Sequence, residues 1–233
     1  MPRLSRSTAL TLGYIGLGAL DSWLSGSQDP RAHRARMITK TALMPVLTAS
    51  LVTDERARTS PLLATTIAGQ IAGWGGDVLL LGEGSTELFA AGAGSFGVGH
   101  AAYITGFRRV RNRRTRLRAA KAGKAAAALF LSGGPAMAIG AAREELVLGP
   151  AVLGYTALLS SMLGHAGNLD PALPGRARRR IFAGAALFAT SDTLLGMRKF
   201  WWKSAPARSE TVVMATYAAG QLLISKGAVA AAI

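Results

Sequence analysis

The chain has 233 residues; half are hydrophobic, only 17% are charged, and the formal net charge is +15. So basic a chain first suggests a nucleic-acid partner, but its cations come in short blocks between long uncharged stretches, the pattern of membrane proteins, and nucleic acid is set aside. Cysteine is absent, which excludes disulfides and thiolate metal sites, and His33, His100 and His165 lie far apart without ligand spacing, so neither metal nor other cofactor is expected.

A helix crossing a bilayer core of roughly 30 Å needs about 20 apolar residues. Eight windows qualify, at about 7–24, 37–53, 61–82, 86–107, 124–142, 146–164, 180–198 and 210–231. The first follows Arg3 and Arg6 and resembles a signal peptide. No small-x-small cleavage site precedes the polar SQDPRAHRAR, so it is read as a retained helix. The second carries Lys40. The third holds IAGWGGDVLLLG (71–82), in which Asp77 is the one ionisable residue between Pro61 and Glu83. In the fourth, GAGSFG (92–97) matches the dinucleotide fingerprint letter for letter. Its flanks look helical and no acid follows about 20 positions on, so the small residues are assigned to close helix packing. The basic stretch RRVRNRRTRLRAAKAGK (108–124) separates the fourth and fifth windows. The seventh repeats the anomaly of the third, with Asp192 inside FATSDTLLGM (188–197), and the eighth places Tyr217, Gln221 and Ser225 on one helical face.

Windows this long and evenly apolar predict helices rather than barrel strands. The expected fold is therefore all-α: a single domain, 1–233, forming a polytopic membrane bundle of about eight transmembrane helices. With the N-terminus inside, 17 of the Lys and Arg fall on the inner side against 8 on the outer, which predicts cytoplasmic termini. GDVLL and SDTLL sit four helices apart and hint at a four-plus-four repeat.

Charges within spans are costly, at about 2.5–3.5 kcal/mol near the bilayer centre, so those present are site candidates. They are Asp21, Lys40, Asp77 and Asp192, joined by the polar Gln70, His100, Tyr103, Tyr217 and Gln221. Asp21 and Lys40 lie near segment ends, where they can snorkel or pair with each other. Gln70 and Gln221 can simply bridge helices, and a lone buried histidine is more often structural. Gln70 and Asp77, seven apart, share a face, as do His100 and Tyr103. Asp77 and Asp192 are the hardest to explain as packing.

ITKTALMP (38–45), GWGGDVLLL (73–81), FGVGHAAY (96–103), FATSDTLLGMRKF (188–200) and YAAGQLLI (217–224) together resemble the signatures of the YhhN family of membrane lysoplasmalogenases. The resemblance runs from the second segment to the eighth. It implies an eight-helix membrane hydrolase that cleaves the vinyl-ether bond of a lysophospholipid substrate, giving a fatty aldehyde and a glycerophospho-headgroup. It implies Asp77 and Asp192 as the catalytic pair, with Lys40, His100, Tyr103, Tyr217 and Gln221 lining the site; Gln70 is added from its shared face with Asp77. The proline of KTALMP falls later than the family pattern leads one to expect.

The chemistry fits on its own grounds. Protonation of the vinyl-ether β-carbon gives an oxocarbenium ion, water adds, and the hemiacetal collapses. That calls for one protonated carboxyl and one carboxylate, the division glycosidases use. No G-x-S-x-G elbow is present for a lipase-type serine. A proton-coupled transporter remains the alternative, because paired acids inside a membrane also build proton relays.

Overall fold

Short polar caps start several of the helices. Ser5 Oγ accepts the Thr8 N–H, Asp29 accepts the Arg31 N–H just ahead of Pro30, and Ser85 Oγ accepts the Leu88 N–H. Each satisfies a donor that a helix N-terminus otherwise leaves open. The computed structural model describes residues 4–82, 85–113 and 116–232, with the backbone alone at 116–119. Within them lie α1 (Arg6–Ser25), α2 (Pro30–Val52), α3 (Leu63–Leu79), α4 (Thr86–Arg109), α5 (Arg116–Glu144), α6 (Leu148–Gly167), α7 (Gly175–Phe200) and α8 (Arg208–Ala230). A 3-10 turn, Glu55–Thr59, joins α2 to α3. Among the described residues there is no strand, only an isolated antiparallel bridge between Arg111 and Leu169.

All eight expected helices are present, and three outrun their apolar windows. α2 starts at Pro30 because the Asp29–Pro30 cap sets its start, ahead of the first apolar residue. α5 reaches back to Arg116, and α7 spans from Gly175 to Phe200 through Arg176–Arg180. An apolar window marks the greasy part of a helix, and charged turns extend it. By length and composition, two helices are apolar enough to cross a membrane, Ala120–Glu144 and Arg208–Ala230. Of the others, α3 is short at 17 residues, and the rest are diluted by Gly, Ser, Thr and charged residues.

Helices α1, α2, α3, α4, α6, α7 and α8 follow one another as neighbours, and α8 closes back on α1. α5 stands outside this ring, packed on α6 and α7. α7 and α8 cross at two glycines: a Cβ on Gly184 would lie 2.7 Å from the Gly220 carbonyl oxygen. On α4, a Cβ on Gly99 would lie 3.1 Å from the Gly69 carbonyl oxygen of α3, the close approach expected of the small-residue stretch. The hairpins α1–α2, α3–α4, α5–α6 and α7–α8 follow in order, as in any up-and-down bundle, so they do not by themselves mark the repeat hinted at by GDVLL and SDTLL. The symmetry breaks at α5. Its counterpart α1 packs on α8, yet α5 makes no close backbone approach to α4.

One end of the bundle gathers the start of α1, the α2–α3 turn, the loops after α4 and α6, and the end of α8. Ser7 donates to the Ser50 carbonyl, Ser60 to the Ala228 carbonyl, and the Arg111–Leu169 bridge ties two loops there. The described part of the basic stretch 108–124 belongs to this end, with 108–109 closing α4 and 116–124 opening α5; residues 114–115 and the side chains of 116–119, like Arg3, lie outside the described residues. At the opposite end Glu210 receives Arg198 at 3.2 Å and Arg36 at 3.9 Å, tying together α2, α7 and α8.

Candidate active site

The polar residues of the apolar segments collect inside the bundle in two clusters. The first joins α2, α3, α4 and α8. Asp77 accepts a hydrogen bond from Tyr217 (2.6 Å) and faces Lys40 Nζ at 3.8 Å. Two turns back along α3, Thr48 of α2 donates to Gln70 Oε1 at 3.0 Å. Lys40–Asp77 and Thr48–Gln70 are thus successive polar rungs between antiparallel helices. Tyr103 donates to Gln221 Oε1 at 2.7 Å, and every member except Thr48 is buried.

Glycine makes this cluster fit. A Cβ on Gly69 would fall 2.6 Å from the Tyr103 ring, and one on Gly73 would lie 3.4 Å from Gln221 Nε2. Pro45 contributes in another way. Proline has no N–H to return to the carbonyl four residues back, here Thr41. The Trp74 indole N–H donates to that carbonyl at 2.9 Å. KTALMP and GWGGD therefore lock together twice, through Lys40–Asp77 and through Thr41–Trp74.

The second cluster joins α4, α6 and α7. Tyr155 donates to Asp192, and His100 Nε2 stands 3.1 Å from the Tyr155 hydroxyl and 3.4 Å from Asp192 Oδ2. Asp192 and Tyr155 open onto an apolar cavity of about 880 Å³ lined by α4, α5, α6 and α7. That is within the range of small-molecule sites, about 300–1,000 Å³. Phe89, Phe96, Leu129, Met137, Leu159 and Phe200 supply much of its wall, and Asp192 is its one charged lining residue among those described. α4 and α5 both line it and make no close backbone approach to each other, so no direct helix–helix packing closes it between them.

Two phenyl rings stand between the clusters. Phe188 packs edge-on against both His100 (4.9 Å) and Tyr217 (5.4 Å), and Phe96 packs against Phe188 and Tyr217. Phe96 lies in turn on Gly76, where a Cβ would meet its ring at 2.5 Å.

Several expectations are redrawn by this geometry. Asp77 and Asp192 do not line one cavity, since only Asp192 does. His100 and Tyr103 part company: three residues turn a helix by about 300°, enough to send His100 to Asp192 and Tyr103 to Gln221. Asp21 and Lys40 do not pair. Asp21 takes the Thr39 hydroxyl (2.6 Å) and Arg36 (3.5 Å), and Lys40 takes Asp77. Tyr155 escaped notice in the sequence, although a phenol within LGPAVLGYTALLSSMLG meets the same criterion that picked out Tyr103 and Tyr217. Among the described residues no group of His, Cys, Asp and Glu has the makings of a metal site.

Helical bundles that bury carboxylates beside an apolar cavity form a broad class. Within it the chain belongs to the YhhN family, which matches residues 35–228, from α2 to near the end of α8. No curated protein and no solved structure matches it.

Proposed function

We propose that the protein is a polytopic membrane hydrolase that cleaves the vinyl ether of a lysoplasmalogen at the cavity beside Asp192. The observation that carries this reading is a large apolar cavity whose one acidic or basic lining residue among those described, Asp192, is held by a phenol and an imidazole. Family membership agrees with it, given the activity the family resemblance implies.

The membrane setting rests on an inverted surface. Leu12, Ile15, Ile71, Val98, Leu131, Ile139 and Phe182 are exposed on helix flanks, whereas Lys40, Gln70, Asp77, His100 and Gln221 are buried. Water would favour the reverse. Three of the four tryptophans, Trp23, Trp201 and Trp202, lie at the end opposite the N-terminus, as an interfacial aromatic belt does. Eight spans form a single domain, and the positive-inside bias puts both termini in the cytoplasm. A C-terminal reporter should then be active only on the cytoplasmic side, and activity on the other face would reverse the orientation.

In the reaction, protonated Asp192 delivers its proton to the β-carbon of a chain lying in the cavity. The carboxylate left behind faces the oxocarbenium ion and then takes a proton from the water that adds to it. The hemiacetal collapses as its hydroxyl proton passes to the glycerol oxygen, releasing aldehyde and glycerophospho-headgroup and leaving Asp192 protonated. Tyr155 and His100 hold its orientation throughout. Asp77 is the second carboxylate, one ring behind the wall. Phe96, lying on Gly76 and against Tyr217, stands between it and the cavity, and Lys40 and Tyr217 hold it in place.

Purified protein incubated with a 1-alkenyl lysophospholipid should release one aldehyde per headgroup. Flux of intact lipid or protons across liposomes with no aldehyde formed would replace the hydrolase with the transporter.

A further inference from the structure

At the end opposite the N-terminus, the cavity wall is aromatic, and two cations lie against its rings. The Arg143 guanidinium stands 5.0 Å from the centre of the Trp201 ring, and Lys199 Nζ stands 5.2 Å from that of Phe89. Both rings line the cavity. Phe200 packs edge-on against Phe89 at 5.7 Å. Trp201 is fixed by its indole N–H, which donates to the Ala136 carbonyl at 3.2 Å, and by Gly140, where a Cβ would come within 2.6 Å of that nitrogen. The neighbouring cations Arg36 and Arg198 share Glu210, whereas among the described residues neither Arg143 nor Lys199 has a carboxylate within ion-pair distance.

We infer that Arg143 and Lys199 form a phosphate-anchoring site at the mouth of the cavity, which sets the bond of a phospholipid that reaches Asp192. The inference rests on the hydrolase reading for its substrate, and the spacing supports it. Lys199 is seven residues beyond Asp192 on α7, on the same helical face and about 10 Å along the axis. In a 1-alkenyl lysophospholipid the β-carbon and the phosphorus are seven bonds apart, which at about 1.2 Å of extension per bond spans about 8 Å. A phosphate held at Lys199 therefore leaves the vinyl ether beside Asp192 and the hydrocarbon chain running on along the cavity, with Arg143 on the Trp201 ring as the second cation. Guanidinium and ammonium groups suit a phosphodiester, and their partial cover by aromatic faces keeps them at the apolar–polar boundary where the headgroup meets the chain.

Two uncleavable probes with the same alkyl chain test this on the full-length protein in maltoside micelles: a 1-alkyl-glycerophosphocholine and a 1-alkylglycerol. The natural protein should prefer the phosphate-bearing probe by about tenfold or more, as charge-assisted hydrogen bonds would give. Arg143→Gln/Lys199→Gln should bring the two affinities to within about twofold of each other by weakening the phosphate probe alone. Arg143→Lys/Lys199→Arg should keep the preference, because both charges remain. Inorganic phosphate at millimolar concentration should not displace the lipid probe. The inference is overturned if the natural protein shows no preference or the double glutamine variant retains it. Displacement by inorganic phosphate as strong as that by the lipid would make the site one for free phosphate and overturn lipid anchoring. Because neither probe is cleaved, the result stands apart from aldehyde release: a protein that prefers the phosphate probe but forms no aldehyde would lose the hydrolase assignment and keep the site.

Discussion

Asp192→Asn is expected to fold like the natural protein and to lose aldehyde release by about 10²–10⁴-fold, the usual contribution of a positioned general acid–base group. Asparagine preserves the shape at the cavity wall and still accepts the Tyr155 hydroxyl, so the α6–α7 contact survives. What disappears is the group proposed to pass the proton. KM should move little, because the lipid is gripped by the apolar wall and by the cations inferred above rather than by Asp192, and a loss confined to kcat is the mark of an interaction made in the transition state. Near-natural turnover from a well-folded Asp192→Asn protein would reduce the carboxylate to a structural partner of Tyr155.

The second large effect concerns stability as well as rate. Asp77→Asn should destabilise the protein by about 3–5 kcal/mol, because it leaves Lys40 buried and charged without its counter-ion. From the sequence, removing a costly charge looks harmless; with Lys40 at 3.8 Å it is not. Adding Lys40→Met should restore most of the thermal stability measured in detergent, since methionine fills similar space without charge. Turnover should stay low in the double variant if Asp77 works as the second carboxylate. Recovery of turnover together with stability would assign Asp77 to the fold alone.

The helices and the polar residues inside them were legible because apolar length and isolated charges are local properties of a chain. The Gln70–Asp77 face was legible too, and both residues turn to α2, through Thr48 and Lys40. How the polar residues divide was not. Whether His100 meets Tyr103's partners or Asp192 depends on how far α4 is rotated against α6 and α7, and no local pattern encodes that. Phe96 and Phe188 read as ordinary core residues, yet they stand between the clusters. Tyr155 was visible as a phenol in an apolar run, but its importance comes from Asp192, thirty-seven residues on. The short GDVLL and SDTLL match hinted at a repeat, but successive hairpins are common to any up-and-down bundle, and the counterparts α1 and α5 have different neighbours.

For the membrane hydrolase proposed above, the stand-off between α4 and α5 would have a kinetic consequence. A gap of this kind would face neighbouring acyl chains, and the substrate would arrive by diffusing sideways within a two-dimensional fluid, without first dissolving in water. The rate would then follow the mole fraction of alkenyl lipid in the leaflet and be indifferent to the volume in which the vesicles are suspended. Diluting the membrane with inert lipid should slow aldehyde release, whereas diluting the suspension should not.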